Sequence, residues 1–256
     1  MKQLLILLVL FTLYSCPFSA QDSLNIDHSL EWADPTEFLD NAISVDFSQK
    51  ILNYDLSKDW MTETSSLDGF IGSNYYRILF HLSSIKKDSE KKNLYHIIGK
   101  DKLRNNICNF TGTLTISKAY KYYFSDSTEP YILVIADYVL YEDKTKTHSG
   151  IFKGTMRSFY RYDTKKKTIT ISESEDEGGK KSKRFTFVGT WKEYNSLTYK
   201  QCIWGADRFP YASNFDVGCC CGMSISEEYR KYGWETWGKT NKKGQLLDDL
   251  NKWWKQ

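Results

Sequence analysis

The chain has 256 residues, enough for one sizeable core, and its 26% charged and 41% hydrophobic residues argue against wholesale disorder and against a multi-spanning membrane protein. A net charge of +3, with no sustained basic stripe, argues against a nucleic-acid partner. Aromatic residues reach 16% beside only four prolines, a composition that favours strands carrying large side chains.

Residues 1–20 have the form of a signal peptide. Lys2 is a basic start, and LLILLVLFTL, Leu4 to Leu13, is an apolar run too short to span a bilayer. Two exits compete. LYSC resembles a bacterial lipobox, which would make Cys16 a lipidated N-terminus, whereas FSAQ resembles ordinary cleavage after Ala20. Either route exports the protein to the periplasm, the outer membrane or the outside, with membrane contact only through a lipid on Cys16. Export places Cys108, Cys202, Cys219, Cys220 and Cys221 where disulfides form, and Cys108 and Cys202 are expected to pair if the fold brings them together. Consecutive thiols in an extended segment point to opposite faces, so Cys219 to Cys221 do not converge on one ion, and no metal is expected.

Residues 21–68 read as an N-terminal extension. Pro35 near the start of LEWADPTEFLDNAI predicts a short helix, and SLDGFIGSN, Ser66 to Asn74, carries turn chemistry. A strand domain occupies 69–205. Strand patterns fall at 75–84, 94–103, 109–123, 131–141, 151–162, 165–174, 184–191 and 196–204, about eight in succession with polar connections and no helical period between them. YILVIADYVLY, Tyr131 to Tyr141, is apolar on both faces, as in a strand covered on two sides. Such a series predicts a mainly β protein, an antiparallel up-and-down barrel whose closure removes exposed edges. A two-sheet sandwich is the alternative.

Within the series Phe-x-Gly-Thr occurs three times, at Phe110/Gly112, Phe152/Gly154 and Phe187/Gly189. Phenylalanine and glycine two apart share a face, and glycine there lets a strand bend or a bulky neighbour cross over it, so the motif reads as barrel geometry. Residues 206–256 form a C-terminal segment. Ser226 before two glutamates opens like a capped helix, and Leu246, Leu247, Leu250, Trp253 and Trp254 have helical spacing, an apolar stripe expected to pack on the barrel.

Signatures of catalysis are missing: there is no Walker loop, GxGxxG after a strand, HExxH or GxSxG, and neither a catalytic residue nor a cofactor is expected. His81 and His96 fall on adjacent predicted strands and could face each other. Glu173, Glu175, Asp176 and Glu177 read as a solvated loop, with weak cation binding a lesser reading. The densest unusual segment, CIWGADRFPYASNFDVG, sets Trp204, Asp207, Arg208, Phe209 and Tyr211 together. Asp207 and Arg208 suit an ion pair anchoring the C-terminal segment. If the barrel has a ligand-accepting mouth, Trp204, Arg208 and Phe209, with Trp191, are the residue types it would use.

In order, FTGT, HSGIFKGT, FVGTW, CIWGADRFP, FDVG and GWETW resemble a family of uncharacterised exported proteins and lipoproteins of Bacteroidetes-type bacteria, over roughly Gly69 to Trp237. The resemblance carries no activity with it. Cys219 to Cys221 stand where that pattern has small residues and a glutamate. The strand count and Gly189 to Trp191 are similar, more loosely, to calycin-type barrels such as lipocalins and avidin, which implies a fold and no function. The expected function is a non-enzymatic envelope barrel binding a small apolar ligand. The alternative is an envelope protein with a fully packed barrel that contacts another protein.

Overall fold

Alternation of apolar and polar residues over long runs produces twelve strands in the computed structural model, which describes residues 27–39, 42–61, 66–123, 129–175, 181–206, 208–218 and 222–255. The signal segment with Cys16 and Ala20, and also Asp176, Glu177, Asp207 and Cys219 to Cys221, lie outside the described residues. In chain order the strands are β1 (Ile43–Asp46), β2 (Leu67–Ile71), β3 (Tyr76–Lys87), β4 (Leu94–Leu103), β5 (Asn106–Tyr123), β6 (Tyr131–Glu142), β7 (Gly150–Asp163), β8 (Thr168–Ile171), β9 (Glu173–Glu175), β10 (Lys181–Lys183), β11 (Phe185–Glu193) and β12 (Lys200–Gly205).

Eight of these close into an antiparallel up-and-down barrel in the order β2, β3, β4, β5, β6, β7, β11, β12, and β12 returns to β2. The closing seam is short, running from Cys202 opposite Ile71 to Gly205 opposite Asp68. β1 extends one edge of β5, β8 extends one edge of β7, and β9 with β10 forms a separate hairpin. Among the described residues no helix is long and apolar enough to cross a membrane.

Strand membership of the closed ring differs from the sequence reading in two places. Leu67–Ile71, read there largely as turn, is a barrel strand; Gly69 is needed because a Cβ would lie 2.4 Å from the Trp204 Cβ of β12. The pattern over 165–174 is a real strand only at Thr168–Ile171 and lies beside β7 outside the closed ring.

Inward and outward faces follow the pleat. On β6, Ile132, Val134, Ala136, Tyr138 and Leu140 enter the interior cluster, while Leu133 and Ile135 pack outside against Leu39, Tyr122 and Phe159. That outer layer is why this strand is apolar on both sides. The Phe-x-Gly-Thr phenylalanines all point inward. Their glycines are not equivalent. Gly154 and Gly189 are buried and face each other across β7 and β11, and a Cβ on Gly189 would meet Lys153 O at 2.1 Å and Tyr138 Oη at 2.8 Å. These two leave room for the Tyr138 ring, which stands edge-on to Phe187 at 5.2 Å and to Trp204 at 6.1 Å. Gly112 departs from that pattern: it is only half-buried and lies between Ile97 of β4 and Leu140 of β6, with no glycine opposite. A Cβ there would meet Val139 O at 2.0 Å and Leu140 Cα at 2.8 Å, so Gly112 serves the close approach of β5 to the β6 backbone.

One barrel end is plugged and one flank is covered. After Pro35 divides the N-terminal helical region into Ser29–Ala33 and Thr36–Leu39, the chain places Phe47, Ile51, Leu56 and Trp60 into the interior cluster beside Tyr95. Phe47 N–H donates to Ala119 O at 2.8 Å, and Lys87 Nζ donates to the carbonyls of Leu52 and Tyr54. On the outside, Phe209, Phe215, Ile225 and Trp234 pack over Phe70, Tyr75, Val188 and Ile203, which covers the β12–β2 seam. The helical turn Glu227–Tyr232 ends at Gly233, and Ser226 makes no side-chain capping bond. Trp254 stacks on His81, and Arg77 bonds Asp68 and Asp248, tying the C-terminal segment to the barrel wall.

Candidate functional site

The end opposite the plug opens into a cavity of about 520 Å³. It lies where β2 ends and β3 begins, at the β4–β5 and β6–β7 turns, and where β11 ends and β12 begins. Apolar walls come from Ile71, Ile78, Leu103, Phe152 and Trp191, inward residues of the last turn of pleat on each strand. Arg104, His148, Glu193 and Lys200 stand around the opening; Arg104 lies over the Tyr76 ring at 4.2 Å and Lys200 over Trp191 at 5.3 Å. Deeper in the barrel the interior is filled. Trp204 stacks between Phe187 at 3.7 Å and Phe80 at 4.1 Å.

Two carboxyl groups interrupt the apolar wall. Asp101 of β4 and Glu142 at the end of β6 line the cavity with 3% and 5% exposure, and Cys108, directly opposite Asp101 on β5, is fully buried beside them. Glu142 Oε2 accepts from Trp191 Nε1 at 2.6 Å and from Gly150 N–H at 2.7 Å. Asp101 Oδ2 meets no N–H or hydroxyl donor, and its carboxyl pairs with that of Glu142. Burial raises the Asp101 carboxyl well above the usual carboxylate range, and the neighbouring Glu142 charge raises it further. Glu142 is also raised by burial, but its N–H donors oppose the shift. Asp101 is therefore the protonated member and Glu142 the anion. The Cys108 thiol is pushed up to about 12 by burial and then by the two acids. An apolar pocket with a proton-sharing acid pair in its wall can bury a hydrocarbon or aromatic body and both donate to and accept from a polar group on it.

Of the ligand residues expected from sequence, only Trp191 lines this cavity. Trp204 belongs to the packed interior. Because β12 ends at Gly205, the next residues lie outside the wall: Phe209 packs on Phe70 and Trp234, and Arg208 bonds Asp216 and Gly218 O. The expected Cys108–Cys202 disulfide is not formed. Both thiols are free and buried, on β5 and β12, which are diametrically opposite in the ring. His81 and His96 do not meet either: His81 lies opposite Lys100, and His96 opposite Lys86 with its ring on Asp88 at 2.7 Å.

Asp101 and Glu142 escaped the sequence reading, which took Cys108 only as a disulfide partner, although a signal existed. Tyr95, Ile97, Gly99 and Asp101 share one face of β4, and Tyr138, Leu140 and Glu142 one face of β6, so the period that buries the apolar residues buries the acids as well. No family, curated protein or solved structure matches the chain.

Proposed function

We propose that the protein is an exported cell-envelope barrel that binds a small, largely apolar molecule in the mouth cavity. The observation that carries this reading is the cavity itself, about 520 Å³ with apolar walls and one buried acid pair. Small-molecule pockets span roughly 300–1,000 Å³ and combine such walls with a few polar groups. Plugging by Phe47, Ile51, Leu56 and Trp60 leaves the mouth as the entry side. Export rests on Lys2 and the apolar run from Leu4 to Leu13.

Native mass spectrometry of protein purified from its own envelope tests the reading. One bound organic molecule is expected, lost when Ile78→Trp fills the cavity; the same spectra distinguish a lipid on Cys16 from cleavage after Ala20. A wild-type protein free of bound mass, whose tryptophan emission is unmoved by apolar probes, would refute it. The partner-protein alternative draws on Leu197 and Tyr199, 95% and 46% exposed beside the mouth. Cross-linking in the envelope that depends on Leu197 would support it over the ligand reading.

A further inference from the structure

We propose that Asp101, Cys108 and Glu142 form a binding site for a zinc-type divalent cation whose remaining coordination position faces the mouth cavity. One ligand atom from each of the three lies within 4.8 Å of the others, and all three residues are buried. They come from consecutive strands of the ring, β4, β5 and β6. Zinc takes oxygen and sulfur at about 2.0–2.3 Å in a tetrahedron, which sets ligand atoms about 3–4 Å apart, so small side-chain rotations complete the triad. Sites that keep a fourth position open for water or ligand hold the ion with three protein groups.

A separate observation points to a missing ligand. Asp101 Oδ2 meets no N–H or hydroxyl donor although the residue is only 3% exposed and lines the cavity, and its carboxyl is set against that of Glu142. Two carboxyl groups buried side by side are costly unless a proton or a cation lies between them, and a divalent cation takes the place of the shared proton. The surroundings suit a metal centre as well. Both N–H donors of Glu142 fall on Oε2, the same carboxyl is in hydrogen-bond reach of the Cys108 thiol and the Asp101 carboxyl, and Asn106 Nδ2 approaches Cys108 Sγ at 3.6 Å. Outer partners of this type orient metal ligands. One thiolate with two carboxylates suits zinc better than calcium or magnesium, which need a fuller set of oxygens. On binding, the thiol proton and the proton held by the acid pair leave to solvent; metal–sulfur and metal–oxygen bonds form and no oxidation state changes.

The proposal deepens the reading of the mouth cavity as a binding site, and its test uses metal alone. Reduced, chelator-stripped full chain is titrated with Co²⁺. One equivalent should produce a near-ultraviolet thiolate-to-cobalt band, bleached by one equivalent of Zn²⁺. Cys108→Ser should abolish the band, and Cys202→Ser, on the opposite wall, should keep it. Trp191→Phe should keep the band but weaken affinity about 10–100-fold, the usual cost of losing an outer partner. Failure of wild type to give the band overturns the proposal, as does a band that survives Cys108→Ser and is carried by Cys202 or by Cys219 to Cys221. If Cys108→Ser does not fold, X-ray absorption of the zinc-loaded wild type decides. One sulfur at about 2.3 Å with oxygens at about 2.0 Å supports the site, and an all-sulfur or sulfur-free shell overturns it. A bound organic molecule in protein that takes no metal would leave the cavity reading standing and remove this one; metal uptake with no organic ligand would do the reverse.

Discussion

Replacing Asp101 by asparagine should make the protein more stable at neutral pH and leave it unchanged in acid. The folded state holds a proton on Asp101 because burial and the Glu142 charge raise its pKa, whereas the unfolded chain releases it near the ordinary value of about 3.9. Above that value the folded state binds more protons than the unfolded state, so stability falls as pH rises. The contribution is fully present below the unfolded pKa and is lost as pH climbs toward the folded one. For one retained proton the slope is about 1.4 kcal/mol per pH unit. Asparagine has the shape of the protonated acid, and its amide can donate to Glu142 without a charge to desolvate. Urea unfolding in chelator at steps from pH 4 to 8 checks this. The wild-type curve should fall progressively below that of the variant as pH rises, by one proton's slope, with the two meeting at the acid end. Parallel curves, or an asparagine variant destabilised equally at every pH, would refute the assignment of the proton to Asp101.

Three further substitutions probe the frame. Gly189→Ala drives a methyl group against Lys153 O and Tyr138 Oη and should destabilise by about 3 kcal/mol or more, read as a lower urea midpoint. Trp60→Ala empties the plug from a fully buried position and should cost about 3–5 kcal/mol, with faster hydrogen exchange at Phe47 and Tyr95 than at the mouth. Arg77→Ala leaves Asp68 and Asp248 without their shared guanidinium; both carboxylates are partly exposed, so the expected cost is about 2–4 kcal/mol, with protease cleavage appearing first between 226 and 255.

The ring was legible wherever one local rule sufficed. Alternation along β4, β5 and β7 shows in single residues, and the two-sided apolar run of β6 anticipated the outer cover that Leu39 and Phe159 provide. Leu67–Ile71 was obscured because Gly69 and Gly72 carry the chemistry of a turn, and only the approach of Trp204 shows why Gly69 is in a strand. The candidate site was hidden for a related reason. Trp204, Arg208 and Phe209 adjoin in sequence, but the barrel wall runs between the first and the other two. Asp101, Cys108 and Glu142 are dispersed along the chain and become neighbours only through strand pairing. Each acid looked like an ordinary polar strand residue until its inward face was known.

The seam sets an order of events. β2 and β12 meet only after every intervening strand has been laid down, and they meet along a short stretch. Contacts so distant in sequence are slow to form, because loop-closure entropy is spent before they repay it. The groups that lock the join, Trp234 donating to Tyr75 O and Asp248 gripping Arg77, come after β12 and emerge later than every strand of the ring from any machine that makes or threads the chain from its N-terminus. Until then the sheet is an open ribbon with two bare edges, a substrate for chaperones and proteases. The segment from Ser226 to Lys255 therefore acts as a latch in time as well as in space, and a chain stopped short of Trp234 should be met by quality control as unfinished.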